Sequence, residues 1–168
     1  MAAETRGAGR KRRLTLLLVL ALLRSQKDWQ AGPVPAAIKE AQAILSWAEH
    51  IVIVFPLWLG DMPALLKGFL EQVARPGFAF KYNEGRTAVA EKGLKGRSAR
   101  IVVTMGMPAL VYRWYFRAHS VKSLERNILG FVGIAPVSET LIGMVGNMKA
   151  EDGQKWLRKL AVLGRSAA

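Results

Sequence analysis

Two short stretches stand out by residue type: Pro56-Leu57-Trp58-Leu59-Gly60 and Thr104-Met105-Gly106-Met107. A surface turn ordinarily carries Ser, Asn and Lys; these carry aromatic, sulfur and glycine residues instead. Such a composition suits a planar, apolar ring with hydrogen-bonding edges. Backbone N–H groups in a loop shaped by Gly and Pro can meet ring carbonyls and nitrogens. Trp58, Leu59 and Met107 supply flat or soft contact surface. A helix start at Pro63 adds a positive dipole end nearby. On the residues alone a second reading stays open, in which Trp58 and Leu59 merely cover the core beneath a surface loop.

Several other chemistries are closed off. The chain has no Cys, which removes disulfides, thiolate metal sites and Cys nucleophiles and favours a reducing, cytoplasmic compartment. With only His50 and His119, no His-rich metal site is expected. The formal charge of +13 would suit an anionic partner. Its most concentrated part is the head of the chain, where Arg6, Arg10, Lys11, Arg12 and Arg13 stand against Glu4. Elsewhere acids intersperse with bases, as on a solvated face, and no basic stripe marks a nucleic-acid partner.

The elements that must hold the two stretches follow from periodicity. IVIVF (51–55) is a continuous β-branched run, as in a strand buried on both faces of a parallel sheet. Pro56 stops it. Pro63 suits a first helical position, and Leu65, Leu66, Phe69, Leu70 and Val73 form a buried stripe to about residue 73. Upstream, Ile38, Ala41, Leu45 and Ala48 have helical spacing after two prolines. ARPGFAFKYNEGR (74–86) reads as a loop or short hairpin. RIVVTMG (100–106) is a second strand and APVSETLIGMV (135–145) a third. Between them PALVYRWYFRAH and SVKSLERNILGFVG carry helical patterns, the latter closed by Gly133, and residues 151–164 form an amphipathic last helix. Strands alternating with helices imply an α/β fold with a parallel sheet, whose ligands bind beyond the carboxyl ends of the strands. Both stretches fall at such ends.

The head is a separate segment, residues 1–21. Its basic cluster, with the tandem Arg12-Arg13, precedes an apolar run at 14–23 and mimics a signal peptide. The run is shorter than the ~20 residues a bilayer span needs. No small-residue cleavage site follows it, and a buried strand or helix behind a solvated basic lead is expected. Membrane contact is then peripheral at most.

FPLWLGDMPALLKGFLEQVARPGFAF followed by RIVVTMGMPALVYR resembles the flavodoxin-like NAD(P)H dehydrogenase (quinone) family. The shared motif, P-L-x-x-x-x-x-P-A-x-L-K-G-x-x-E and then G-x-F-A-[FY], is long, and the similarity runs from about residue 22 to 168 as one flavin-binding domain. The resemblance implies a flavodoxin-like three-layer sandwich holding FAD or FMN. Pro56, Leu57, Trp58 and Leu59 would wrap the isoalloxazine, and Thr104, Met105, Gly106 and Met107 would meet its polar edge. It also implies catalytic roles for Tyr112, which matches the family spacing, and His119, which lies one residue beyond it. NAD(P)H would give a hydride to the flavin, and a quinone-type acceptor would then collect it from the same place, in ping-pong order. A homodimer is implied, with Trp114, Tyr115 and Phe116 available to an interface.

Before residue 22 the sequence departs from the family. No Gly-His-Pro and no Ser- or Thr-rich loop opens a helix there. The first βαβ unit is expected to be truncated or replaced, which removes the loop that grips a flavin phosphate and leaves a strand edge uncovered. The alternative function is therefore a non-catalytic, degenerate paralogue that dimerises or associates with a transporter.

Overall fold

The computed structural model describes residues 23–82 and 89–166. The basic lead and most of the apolar run expected in the head lie outside the described residues. Ser25 caps a short helix α1 (Gln26–Ala31), its hydroxyl accepting from the N–H of Asp28 at 3.1 Å. Helix α2 (Ala36–Trp47) follows Pro35, and its Ile38 and Ala41 are buried against Val73 of α3. Strand β1 (His50–Pro56) leads through a turn into α3 (Ala64–Val73), with Pro63 at its N-cap. Strands β2 (Phe80–Tyr82) and β3 (Val89–Lys92) pair antiparallel, the second of them beyond the 74–86 stretch read as a loop or short hairpin. Strand β4 (Ser98–Thr104) precedes α4 (Ala109–Trp114). Helix α5 (His119–Ser123) continues through a π-helical stretch at Leu124–Leu129 into α6 (Gly130–Val132), which Gly133 ends at φ 104°. Strand β5 (Val137–Ile142) and the long helix α7 (Ala150–Ser166) complete the order.

The main sheet is parallel, in the order β1-β4-β5, and helices flank it. His50 stands opposite Ser98 and Pro56 opposite Thr104; Ala99 stands opposite Val137 and Thr104 opposite Ile142. One face of the sheet, with Ile51, Ile53, Phe55, Ala99, Ile101 and Val103, packs on Leu66, Phe69 and Leu70 of α3 and on Val121, Leu124, Leu129 and Val132. The other face of β1 is bare: Val52 is 50% exposed and Val54 63%. This corrects the expectation of a strand covered on both faces. Continuous β-branching states what a strand tolerates, whereas cover depends on partners elsewhere in the chain. Leu65 likewise points outward instead of joining the stripe of α3.

Two charged side chains take unexpected places. Arg75 is buried, and among the described residues its guanidinium donates to oxygens of amide groups: the carbonyls of Gln72, Asp28, Gly32 and Pro33, and the side chain of Gln72. It fastens the segment around α1 to α3. At the amino end of the sheet, His50 Nδ1 lies 2.8 Å from Ser98 Oγ, and its Nε2 is buried without a partner. No helix among the described residues is long and apolar enough to cross a membrane.

Candidate functional site: three loops at the carboxyl ends of the strands

The chain leaves β1 still bonded to its neighbour, the N–H of Leu57 donating to the carbonyl of Thr104 at 2.8 Å. It then reverses at once. Trp58 and Asp61 exchange both backbone hydrogen bonds, each 2.9 Å, around Leu59 and Gly60. Those two central residues have φ of 49° and 84°, the positive pair of a type I′ turn. Gly takes this region freely; Leu does so at a cost of about 1 kcal/mol. The turn pushes Leu59 fully into solvent and leaves Trp58 largely exposed. Asp61 Oδ1 then accepts the N–H of Met62 at 2.7 Å, and α3 begins after Pro63. Trp58 and Leu59 are thus not core cover.

Beyond β4, Met105 is buried and donates its N–H to Ile142 at 2.9 Å. Gly106 is exposed, and a Cβ there would meet nothing within 4 Å. The N–H groups of Gly106 and Met107 have no hydrogen-bond partner among the described residues. Open space over free backbone donors is what the polar edge of a flat ring needs.

A third loop, not singled out in the sequence, completes the rim. After β5, Val145 donates to the carbonyl of Met105 and Met144 to that of Met107, both at 3.1 Å. Gly143 makes the approach feasible, since a Cβ on it would lie 2.4 Å from Ala109 N and 2.7 Å from Met107 O. Met144 takes φ of 57° to turn the corner. The signal in the sequence was the pair Gly143 and Gly146 directly after a strand. A cavity of ≈ 350 Å³ lies along this loop, lined by Gly143, Met144, Asn147 and Met148 among others. The larger cavity, ≈ 420 Å³, lies away from the three loops, between Trp29, Leu70, Phe80 and Phe131.

The two residues expected to be catalytic are placed differently from each other. His119 is exposed at the start of α5; its Nδ1 donates to the carbonyl of Phe116 at 3.1 Å. Its Nε2 would be 3.9 Å from a Cβ on Gly60, so the imidazole stands beside the first loop. Tyr112 is 1% exposed, with its hydroxyl 2.6 Å from Ser120 Oγ and accepting the N–H of Val121 at 3.3 Å. The phenol is used up inside the fold. Its carbonyl accepts from Ala118 at 3.0 Å, so Tyr112 grips both sides of the corner where Arg117 and Ala118 take φ of 56° and 49°. That corner carries His119.

Pro56, Leu57, Trp58, Leu59, Thr104, Met105, Gly106 and Met107 therefore gather at one end of the sheet, with His119 beside Gly60 of the first loop and Tyr112 buried behind His119's corner. The first two loops hold no Lys or Arg and fit an apolar ring; the third carries Lys149, which lines the cavity of ≈ 350 Å³ together with Asp152. Arg75 is buried on amide oxygens, and Lys81 pairs with Glu91 at 3.0 Å. Among the described residues no cluster of His, Asp and Glu is arranged to hold a metal ion.

A family model described as flavodoxin-like fold matches residues 10–163. The chain belongs to the flavodoxin-like family. Among curated relatives of this flavodoxin-like chain, an FMN-dependent NADH:quinone oxidoreductase of Shewanella loihica is 34% identical over 117 residues, covering 69% of this chain and 55% of its own. An uncharacterized NAD(P)H oxidoreductase of Haemophilus influenzae is 29% identical over 113 residues, covering 67% of this chain and 54% of its own. The chain spans about half the length of the curated relatives it matches. Among solved structures, the Smu.1420 protein of Streptococcus mutans superposes with a TM-score of 0.71 at 28% identity, covering 87% of this chain and 76% of that one. The quinone-reductase resemblance of the sequence is borne out, and so is the flavodoxin-like α/β architecture.

Proposed function

We propose that this chain is a flavin-dependent NAD(P)H:quinone oxidoreductase, with FMN as the flavin and NADH as a hydride donor. The observation that carries the reading is the pair of unpartnered N–H groups at Gly106 and Met107, with open space beside Gly106, on the strand end to which the N–H of Leu57, just before Trp58, is bonded. FMN and NADH are preferred because they appear in the name of the Shewanella loihica relative. The chemistry supplied by bound flavin is acceptance of a hydride from NAD(P)H and delivery of two electrons to a quinone. Everything else is positioning by protein groups. Trp58 and Leu57 would wall the ring, and the N–H groups of Gly106 and Met107 would donate to its polar edge. His119, fixed through Nδ1 to the carbonyl of Phe116, leaves Nε2 beside the first loop, where it would exchange a proton with a quinone oxygen. Tyr112 is a positioning residue that keeps the corner beneath His119 closed.

Trp114 and Tyr115, 75% and 80% exposed, support a homodimer through this aromatic surface, as does Phe116 beside them. A cytoplasmic location agrees with the absence of Cys. The second reading, a non-catalytic interaction protein, is favoured by one observation: the loops at 56–60 and 104–107 carry no cation for a phosphate.

The test is a titration of the purified full chain with FMN, followed by NADH and a benzoquinone. Quenching of flavin fluorescence, bleaching by NADH and recovery of colour with quinone support the oxidoreductase. A chain that leaves FMN fluorescence unchanged and forms a dimer supports the interaction protein instead.

A further inference from the structure

The larger cavity, ≈ 420 Å³, takes no part in the proposed reaction, and no residue of the three loops lines it. Its volume falls in the range of small-molecule sites, about 300–1,000 Å³. Three aromatic rings shape part of its wall. Phe80, 1% exposed, meets Phe131 edge-on with centroids 4.8 Å apart, and Trp29 lies 5.7 Å from it. The indole of Trp29 is held in place, its Nε1 donating to the carbonyl of Glu71 at 2.9 Å. Walls fixed before anything enters lose little freedom on binding.

Another part of the lining comes from the π-helical stretch at Leu124–Leu129, which contributes Asn127 and Ile128. The stretch closes where the N–H of Gly130 reaches back five residues to the carbonyl of Glu125. Such helices are rare and frequently sit at functional sites. This one borders the cavity. The polar groups there say what it would take. Lys67 and Glu71 are the charged residues of the lining, and they pair with each other, which leaves it neutral. Asn127 Nδ2 donates to Ser123 Oγ at 3.3 Å, while its Oδ1 and the carboxamide of Gln26 have no partner among the described residues.

We propose that this cavity binds an uncharged, two-ring aromatic molecule carrying one hydroxyl or N–H group. An apolar cavity of about 150 Å³ suffices for benzene, so two fused rings have room here. The rings would lie against Phe80, Phe131 and Trp29, and the donor would meet Asn127 Oδ1. A charged ligand would give up its hydration with no unpaired counter-charge to meet it. The inference stands independently of the oxidoreductase reading.

Calorimetric titration of the full chain with β-naphthol tests it, with β-naphthoate as the charged counterpart. The expected result is saturable binding of β-naphthol, and binding of β-naphthoate weaker by about tenfold or more. Ala74→Leu, which fills the cavity from the end of α3, abolishes β-naphthol binding, whereas Trp58→Ala leaves it in place. If Ala74→Leu yields no folded chain, Asn127→Ala at an exposed position decides. It weakens β-naphthol by about 3–10-fold, the worth of one hydrogen bond, without moving the melt; an unchanged affinity there overturns the proposal. Absence of saturable binding in the unmodified chain overturns it as well. So does binding that a folded Ala74→Leu chain keeps, or binding lost in Trp58→Ala, which assigns the ligand to the three loops. Equal affinity for the two probes overturns the uncharged class.

Discussion

The N–H of Leu57 donates to the carbonyl of Thr104 across 2.8 Å, tying the first loop to the strand that feeds the second. Trp58 and Gly106 stand one and two residues beyond that bond, on the rim it defines. The tie makes the first prediction separable from folding. Trp58→Ala removes an exposed ring, so the melting temperature stays within error. FMN affinity falls by about 3–10-fold, the worth of an aromatic contact of roughly 0.5–1.5 kcal/mol. Fluorescence titration beside a thermal melt measures both, and a fallen melting temperature with unchanged affinity would make Trp58 a structural residue.

Tyr112 and His119 are expected to respond in opposite ways. Tyr112→Phe strands the buried Ser120 hydroxyl and the N–H of Val121, costing about 1–3 kcal/mol. At roughly 2–4 °C per kcal/mol for a chain of this size, the melt shifts visibly. His119→Gln leaves the melt in place and slows quinone reduction on the order of 10²-fold, the scale of a lost proton donor. Stopped-flow reduction by NADH and reoxidation by quinone, read beside calorimetry, separates the two.

Gly143 tests the third loop. Gly143→Ala drives a methyl into Ala109 N and Met107 O, and the loop must shift to admit it. Overpacking of this kind costs about 1–3 kcal/mol. Because Met107 moves with the loop, FMN binding weakens as the melting temperature falls. Circular dichroism melts and titration on one sample provide the check, and an unmoved melt would show the loop to be slack.

His50 sets an acid limit. Burial, and then the positive charge of Arg100, hold its pKa below the ordinary value of 6.5. The unfolded chain therefore takes up a proton as pH falls through about 6.5 while the folded chain does not. The stability this group contributes is complete above that pH, declines as pH falls toward the lower folded value, and then levels off. His50→Asn keeps a partner for Ser98 without a titrating ring. The difference in melting temperature between about pH 7.5 and 5.5 should shrink in the variant.

Much of this architecture was legible in the sequence because its signals are local. Proline at residues 56 and 63 marks the end of one strand and the start of a helix, and Gly133 marks the end of another helix. The β-branched runs gave β1 and β4 to within two residues at their ends. What escaped depends on distant partners. Helical spacing cannot tell that Tyr112 turns inward to Ser120 while Trp114 turns out, because the corner at Arg117 and Ala118 decides it. The bare flank of Val52 and Val54 was hidden for the same reason. The third loop was missed because Gly143 acts through the absence of a side chain, and only its neighbours show why that absence matters.

The fastening at Arg75 has a consequence for behaviour in acid. Surface pairs such as Lys67–Glu71 and Arg113–Glu139 let go once their carboxylates are neutralised. Arg75 holds Asp28, Gly32 and Pro33 by their main-chain carbonyls, which have no proton to gain over that range. As the chain is acidified, the segment that carries α1 stays clamped to α3 after those outer pairs have let go.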